Sequence, residues 1–163
     1  MAKAVDRMDS AILRLFSTEP RIGVLEASRR LAVARGTVQA RLDRLSRDGV
    51  IAGWGPRLEP AALGYPVMAL VTLEISQAAG HDLVAAHLKD IPEVLEAFTI
   101  TGAGDMWCRV VARSNPDLQR VIDKVVSFAG IERTSTVIAL ATQVPYRVLP
   151  LLDAAAGSPE QVG

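Results

Sequence analysis

Cysteine is almost missing from this chain: Cys108 is the only one in 163 residues. One thiol supports neither an internal disulfide framework nor a cysteine-based zinc site. Histidine is nearly as scarce. His81 and His87 lie six apart, about 240° around a helix, so they share no face on which to hold a metal. Long hydrophobic runs are absent too. The longest uncharged stretch, residues 60–73, is broken by Pro60, Gly64 and Pro66, whereas a membrane-spanning helix needs about 20 apolar residues. The opening Met1-Ala-Lys-Ala-Val-Asp-Arg has no apolar signal core, so a cytoplasmic protein is expected. Aromatics are few. The only one before residue 52 is Phe16, at a core-like position, so no base-stacking platform for RNA is visible there. Neither sign of charge prevails, since 18 basic residues balance 18 acidic ones.

What is present is enough apolar material for a real core, at 50% of the chain, which excludes disorder along its whole length. The balanced charge hides an asymmetry. Residues 1–51 carry a net +4 and residues 52–163 a net −4. Arg29, Arg30, Arg35, Arg41, Arg44 and Arg47 crowd one short stretch that holds a single acid, Asp43. A basic cluster in one half points to a polyanionic partner for that half.

The order of elements sharpens this. Asp6 is an N-cap candidate, and Met8, Ala11, Ile12 and Leu15 follow the spacing of one buried helical face, stopped by Glu19-Pro20. A second short helix fits Val24 to about Leu31. A third fits Arg35 to Asp48, with Val38, Leu42 and Leu45 as its apolar stripe and Gly49 ending it. After Gly49 the glycine- and proline-punctuated segment reads as a short strand pair, or wing, running into a linker. Strands are expected at Val67–Ile75, Val94–Thr101, Met106–Ala112 and Ile131–Thr142. Helices are expected at His81–Asp90 and from Asn115, where Asn115 is read as the cap. The resulting βαββαβ order is a split βαβ, or ferredoxin-like, body. The domains are therefore 1–51 (helix-turn-helix), 52–65 (wing and linker), 66–152 (body) and 153–163 (frayed tail), in an α+β chain.

Three helices with a short turn between the second and third fit a helix-turn-helix, whose last helix lies in the DNA major groove. Opposite the stripe Val38/Leu42/Leu45 the third helix presents Arg35, Thr37, Gln39, Arg41, Asp43 and Arg44 in varying degree, and all but Asp43 suit DNA contact. Arginine donates two bonds to guanine, glutamine pairs with adenine, and threonine contacts a phosphate or a thymine methyl. Duplex DNA is the expected partner.

At this point the motifs resemble those of the Lrp/AsnC, or feast/famine, family of transcription regulators. In the head they are Val5-Asp6-x-x-Asp9-x-x-Ile12-Leu13, Arg21-Ile22, Glu26, Val38-x-x-Arg41-Leu42-x-x-Leu45 and Gly49-Val50-Ile51. In the linker and body they are Leu58-Glu-Pro-x-x-Leu63-Gly64, Pro92-Glu-Val, Thr101-Gly102-x-x-Asp105, Arg109-Val110-Val111, Gly130-Ile131 and Thr134-x-Thr136. Their order and spacing carry the resemblance from Val5 to about Leu151. It implies a winged helix-turn-helix head and a ferredoxin-like body of the RAM type. It also implies amino-acid effectors, and homodimers that associate further, often into octamers. Two positions depart from the family pattern: Ala32 stands where glycine is usual in the turn, and Ala34 where serine usually caps the recognition helix.

The effector site implied by the resemblance is the turn Thr101, Gly102, Gly104 and Asp105, with Met106 following. The glycines admit a carboxylate to backbone N–H groups, and Asp105 suits an ammonium. Thr134 and Thr136, on alternate positions of the last strand, add hydroxyls. Met106 and Trp107 favour an apolar amino acid, although alternation lets only one of them face the ligand. No cofactor, metal ligand or catalytic residue is expected. A dinucleotide loop at Gly102-x-Gly104 lacks its third glycine and its following helix. Cys108 reads as a small buried hydrophobe, and Glu93 and Glu96 find no catalytic partner. Two alternatives remain open: an enzyme resembling the sirohaem decarboxylases on the same architecture, and an architectural DNA-binding protein without an effector.

Overall fold

The computed structural model describes residues 5–76 and 78–157. The chain divides into two compact units, residues 1–56 with 144–163, and residues 57–143.

In the first unit, helix α1 spans Arg7–Thr18, α2 Val24–Arg30 and α3 Arg35–Arg47. Asp6 caps α1 in a reciprocal capping box with Asp9, which satisfies two backbone donors that a helix start leaves free. Ile12, Ala27, Val38 and Leu42 form the core, with Phe16, Ile22 and Ile51 packed around it. The apolar stripe of α3 is buried as its spacing requires.

The segment after α3 departs from expectation. Residues 50–60 form no strand, and the wing is an irregular run held at its start by Val50 and Ile51 N–H groups on the Leu45 carbonyl. Gly53, Gly55, Pro56 and Pro60 explain this, because proline cannot donate to a ladder and glycine loses most entropy when extended. One 3-10 turn, Ala61–Leu63, follows. The expected frayed tail is also corrected. Helix α6, Leu149–Gly157, packs along α1 and is tied to it by an Arg14–Asp153 ion pair, so only 158–163 of the tail lie outside the described residues. The sequence hid this helix behind Pro150, which a first helical turn tolerates.

In the second unit, β1 (Val67–Ile75), α4 (His81–Lys89), β2 (Val94–Thr99), β3 (Met106–Ala112), α5 (Asn115–Val126) and β4 (Ile131–Ala139) follow in the expected order. The sheet order is β2-β3-β1-β4, antiparallel throughout. Ser114, not Asn115, caps α5: its side chain accepts from Asp117 N–H, and Pro116 sits inside the first turn. Period-2 alternation sends Ala69, Val71 and Leu73 of β1 to the face covered by Val84 and Leu88 of α4 and Leu118, Val121 and Val125 of α5. The opposite face carries Met68 and Leu70 of β1, Trp107 of β3, Phe98 of β2 and Val137 of β4. Phe98 is 49% and Val137 61% exposed.

His87, in the last turn of α4, hydrogen-bonds through Nε2 to the Lys124 and Val125 carbonyls at 2.9 and 3.1 Å and stacks on Phe128. Its Nε2–H thus donates to carbonyls in the last turn of α5, where Ser127 N–H and Oγ also donate to the Lys124 carbonyl. Burial pushes the Cys108 thiol up to about 11, so it stays protonated at neutral pH and packs as a hydrophobe. No group of three or more metal-ligating side chains occurs among the described residues.

Candidate DNA interface and effector turn

The turn between α2 and α3 runs through Ala32, whose φ of 53° is left-handed, a conformation that a β-carbon disfavours. Ala34 then caps α3 without a side-chain hydrogen bond. With Val38, Leu42 and Leu45 buried, α3 presents its other sides to solvent. Arg35, Thr37 and Gln39 are exposed there, and Gln39 Nε2 donates to Asp43 Oδ1 at 2.8 Å.

Arg41 and Arg44 are placed differently from the other three. Both are drawn against α1. Arg41 donates to Asp9 Oδ1 at 2.7 Å and to Asp6, and Arg44 donates to the other Asp9 oxygen. Asp9 is 0% exposed. Its carboxylate also accepts the Asp6 N–H, so three donors surround it. Burial works against its charge, but the bonds from Arg44 and Arg41 outweigh this and hold its carboxyl below the usual range. The bond from Arg41 lowers Asp6 in the same way. Of the five α3 side chains expected to contact DNA, three are exposed, while Arg41 and Arg44 are half-buried and engaged with α1. The physical reason is position. Arg41 and Arg44 lie one turn apart on the flank of α3 that faces α1, where a buried carboxylate waits.

Arg47 belongs to the basic cluster but not to the five α3 residues expected to contact DNA. At 100° per residue it falls opposite Val38, is exposed, and has no ion-pair partner among the described residues, as is true of Arg35. The helical angle was the available signal. In the sequence Asp9 stands only within the motif Val5-Asp6-x-x-Asp9, with nothing local to pair it with α3.

In the body, the turn 101–105 presses against the end of β1. Gly102 and Gly104 have φ of 107° and 115°. A β-carbon on Gly104 would lie 2.4 Å from Thr72 Cγ2, so only glycine fits. Asp105 N–H donates to the Leu73 carbonyl at 2.8 Å, and Asp105 Oδ2 accepts from Ile75 N–H at 2.7 Å. Its other oxygen accepts no hydrogen bond among the described residues. Thr101 and Gly102 are exposed, and Gly104 and Asp105 part-buried.

The side chains of the remaining three residues are not brought to this turn within the chain. Met106 is 3% exposed and belongs to the core under the helices, because its strand position faces inward. Trp107 points to the other face, against Phe98. Thr134 and Thr136 pair across β1 with Leu73 and Val71, so a whole strand separates them from Met106 and Cys108. In the head, a depression of about 270 Å³ lies among Phe16, Ile22, Gln39, Asp43 and Trp54.

Comparison with known proteins agrees with both halves. Residues 67–149 match the Lrp/AsnC ligand binding domain and residues 5–52 a winged helix-turn-helix DNA-binding domain. An uncharacterized HTH-type transcriptional regulator of Pyrococcus abyssi is 35% identical over 82% of this chain and 85% of its own length. The regulatory protein AsnC of Escherichia coli is 28% identical over 90% of this chain and 97% of its own. The structure of E. coli AsnC superposes with a TM-score of 0.83 at 27% identity, covering 91% of this chain and all of that one. A feast or famine regulatory protein from M. tuberculosis, solved with L-methionine, reaches 0.79 at 26% identity over 89% and 98% of the two chains. An N-terminal helix-turn-helix with its cations on α3 precedes a ferredoxin-like body that matches a ligand-binding domain, the relatives are named as transcriptional regulators and not as enzymes, and this chain belongs to the Lrp/AsnC family of DNA-binding transcriptional regulators.

Proposed function

We propose that this regulator changes its DNA binding or assembly when an amino acid occupies the turn Thr101–Asp105. One observation carries the reading: Asp105 is divided in its duties. One carboxylate oxygen holds the turn to Ile75 N–H, while the other accepts no hydrogen bond among the described residues. A ligand ammonium is the natural partner for it, and the open glycine backbone suits the ligand carboxylate. Thr134 and Thr136 enter the site only if a neighbouring subunit supplies them. An apolar effector is favoured by the methionine held by the M. tuberculosis relative. Met106 gives it no support, because it is buried.

Arg35, Thr37, Gln39 and Arg47 make the DNA contacts in this proposal, with Arg41 and Arg44 behind them. The open sheet face bearing Phe98, Trp107 and Val137 pairs with a second copy, and such dimers associate further into octamers. No described helix is long and apolar enough to cross a membrane. The cytoplasm, on nucleoid DNA, is the proposed location.

Calorimetric titration of the twenty amino acids into wild type, Asp105→Asn and Asp105→Ala tests the effector reading. Asp105→Asn keeps the turn bond, since its amide oxygen accepts from Ile75 N–H, but loses the charge. Binding in wild type and loss in both variants is the expected result. Undiminished binding in Asp105→Asn would assign the carboxylate to the turn alone. If wild type binds none of the twenty, the architectural reading takes its place.

A further inference from the structure

The geometry points to Asp9 as a positioning residue for DNA recognition: it grips Arg41 and Arg44 and thereby sets the rotation and slide of α3, which decides which α3 side chains reach the bases. This rests on α3 being the helix that reads DNA.

Several observations carry it. The Asp9 side chain is wholly buried, and buried carboxylates persist only when paired. Its two oxygens take guanidinium donors from positions 41 and 44, one helical turn apart. Two anchors on one rigid helix, added to the buried stripe Val38/Leu42/Leu45, set both its rotation about its own axis and its displacement along it more closely than the apolar packing alone. The start of α3 lacks such control, because Ala34 makes no side-chain cap and the preceding turn is strained at Ala32. Asp9 itself is held at a defined place, its N–H and carboxylate both engaged with Asp6 in the capping box. Asp6 is the weaker partner. It is about half exposed and reaches only Arg41. The arginines so engaged are withdrawn from phosphate, which leaves Arg35 and Arg47 as the free α3 cations among the described residues.

A residue that merely stabilised the head would affect all DNA alike. A residue that aims α3 affects the preferred sequence above all. The experiment uses the full-length protein and two duplexes: one selected by wild type from a random-sequence library, and a scrambled version. Each is titrated over a range of salt. Asp9→Asn lowers affinity for the selected duplex by about tenfold or more. Affinity for the scrambled duplex holds or rises, because released arginines reach phosphates. Selection repeated with the variant yields a broadened or altered preference under α3. Arg44→Gln weakens the selected complex, yet its slope of log affinity against log salt stays at the wild-type value, whereas loss of a phosphate contact would lower the slope by about 1.

Equal weakening on both duplexes by an Asp9→Asn protein with unchanged thermal unfolding would overturn the proposal, as would an unaltered preference. A reduced salt slope in Arg44→Gln overturns it as well, and that measurement decides alone if Asp9→Asn does not fold. A wild type that selects no sequence removes the recognition role of α3 itself, a result distinct from all of these.

Discussion

At the scale of single residues, two alanines leave stability unused in the head. Ala32 occupies left-handed backbone at φ 53°. Ala32→Gly removes that penalty but frees the unfolded chain, so a net gain of about 0.5–1 kcal/mol is expected. Ala34 sits in extended backbone at the start of α3 without a side-chain acceptor, and Ala34→Ser supplies one for about 0.5–2 kcal/mol. Thermal unfolding of the full-length variants checks both, and a lower midpoint for Ala32→Gly would contradict the assigned conformation. Charge at the same scale gives a pH prediction. Bonds from Arg44 and Arg41 hold the Asp9 carboxyl below its unfolded value against the cost of burial, and the Arg41 bond does the same for Asp6. A lowered folded pKa contributes stability above the unfolded value of about 3.9, and that contribution is lost as pH falls through the folded pKa. The head should therefore lose stability on acidification below about pH 4, and less steeply in Asp9→Asn. Far-UV dichroism along a pH series reads this. Asp43 provides another test. It holds Gln39 and puts a carboxylate on the exposed side of α3. Asp43→Asn should strengthen DNA binding at low salt by electrostatics alone, and an unchanged affinity would place DNA elsewhere.

At the scale of elements, two surfaces carry predictions. The sheet has helices on one face, while Phe98 and Val137 stand exposed on the other. A two-layer body leaves such a face to a partner. Phe98→Ser with Val137→Ser should lower the sedimentation mass, while leaving the core under α4 and α5 intact. Unchanged assembly would move the interface to another surface. Helix α6 belongs with α1, joined through Asp153 and Arg14. That ion pair is exposed, so Asp153→Ala alone should cost about 0–1 kcal/mol. A chain ending at residue 147 loses the packing as well and should lower the thermal midpoint of the head more than Asp153→Ala does. Equal midpoints would mean that α6 contributes only its charge.

At the scale of the whole molecule, the chain passes between its two units twice, at Pro56–Arg57 and at Gln143–Val144. The body is thus an insertion between two pieces of the head unit. A fragment of residues 57–143 keeps its entire sheet and core and is expected to fold alone. Residues 1–56 lack α6 and should fold less stably than the head does in the full chain. Dichroism melts of both fragments beside the intact protein test this. The insertion was not legible in the sequence, but most of the element order was, and the reason is local. The capping residue Asp6, the 3.6-period stripe Val38/Leu42/Leu45, the alternation through Val67–Ile75 and the turn glycines Gly102 and Gly104 each encode their structure within a few residues. The βαββαβ order follows from those elements, and so do the exposure of Arg35, Thr37 and Gln39 and the turn bearing Asp105. Only the tertiary structure decided the rest. It drew Arg41 and Arg44 onto Asp9, sent Met106 into the core, put β1 between Thr134 and the turn, and laid α6 on α1. Each of these depends on a partner far along the chain, and local spacing carries no record of which distant carboxylate, strand or helix will be brought alongside.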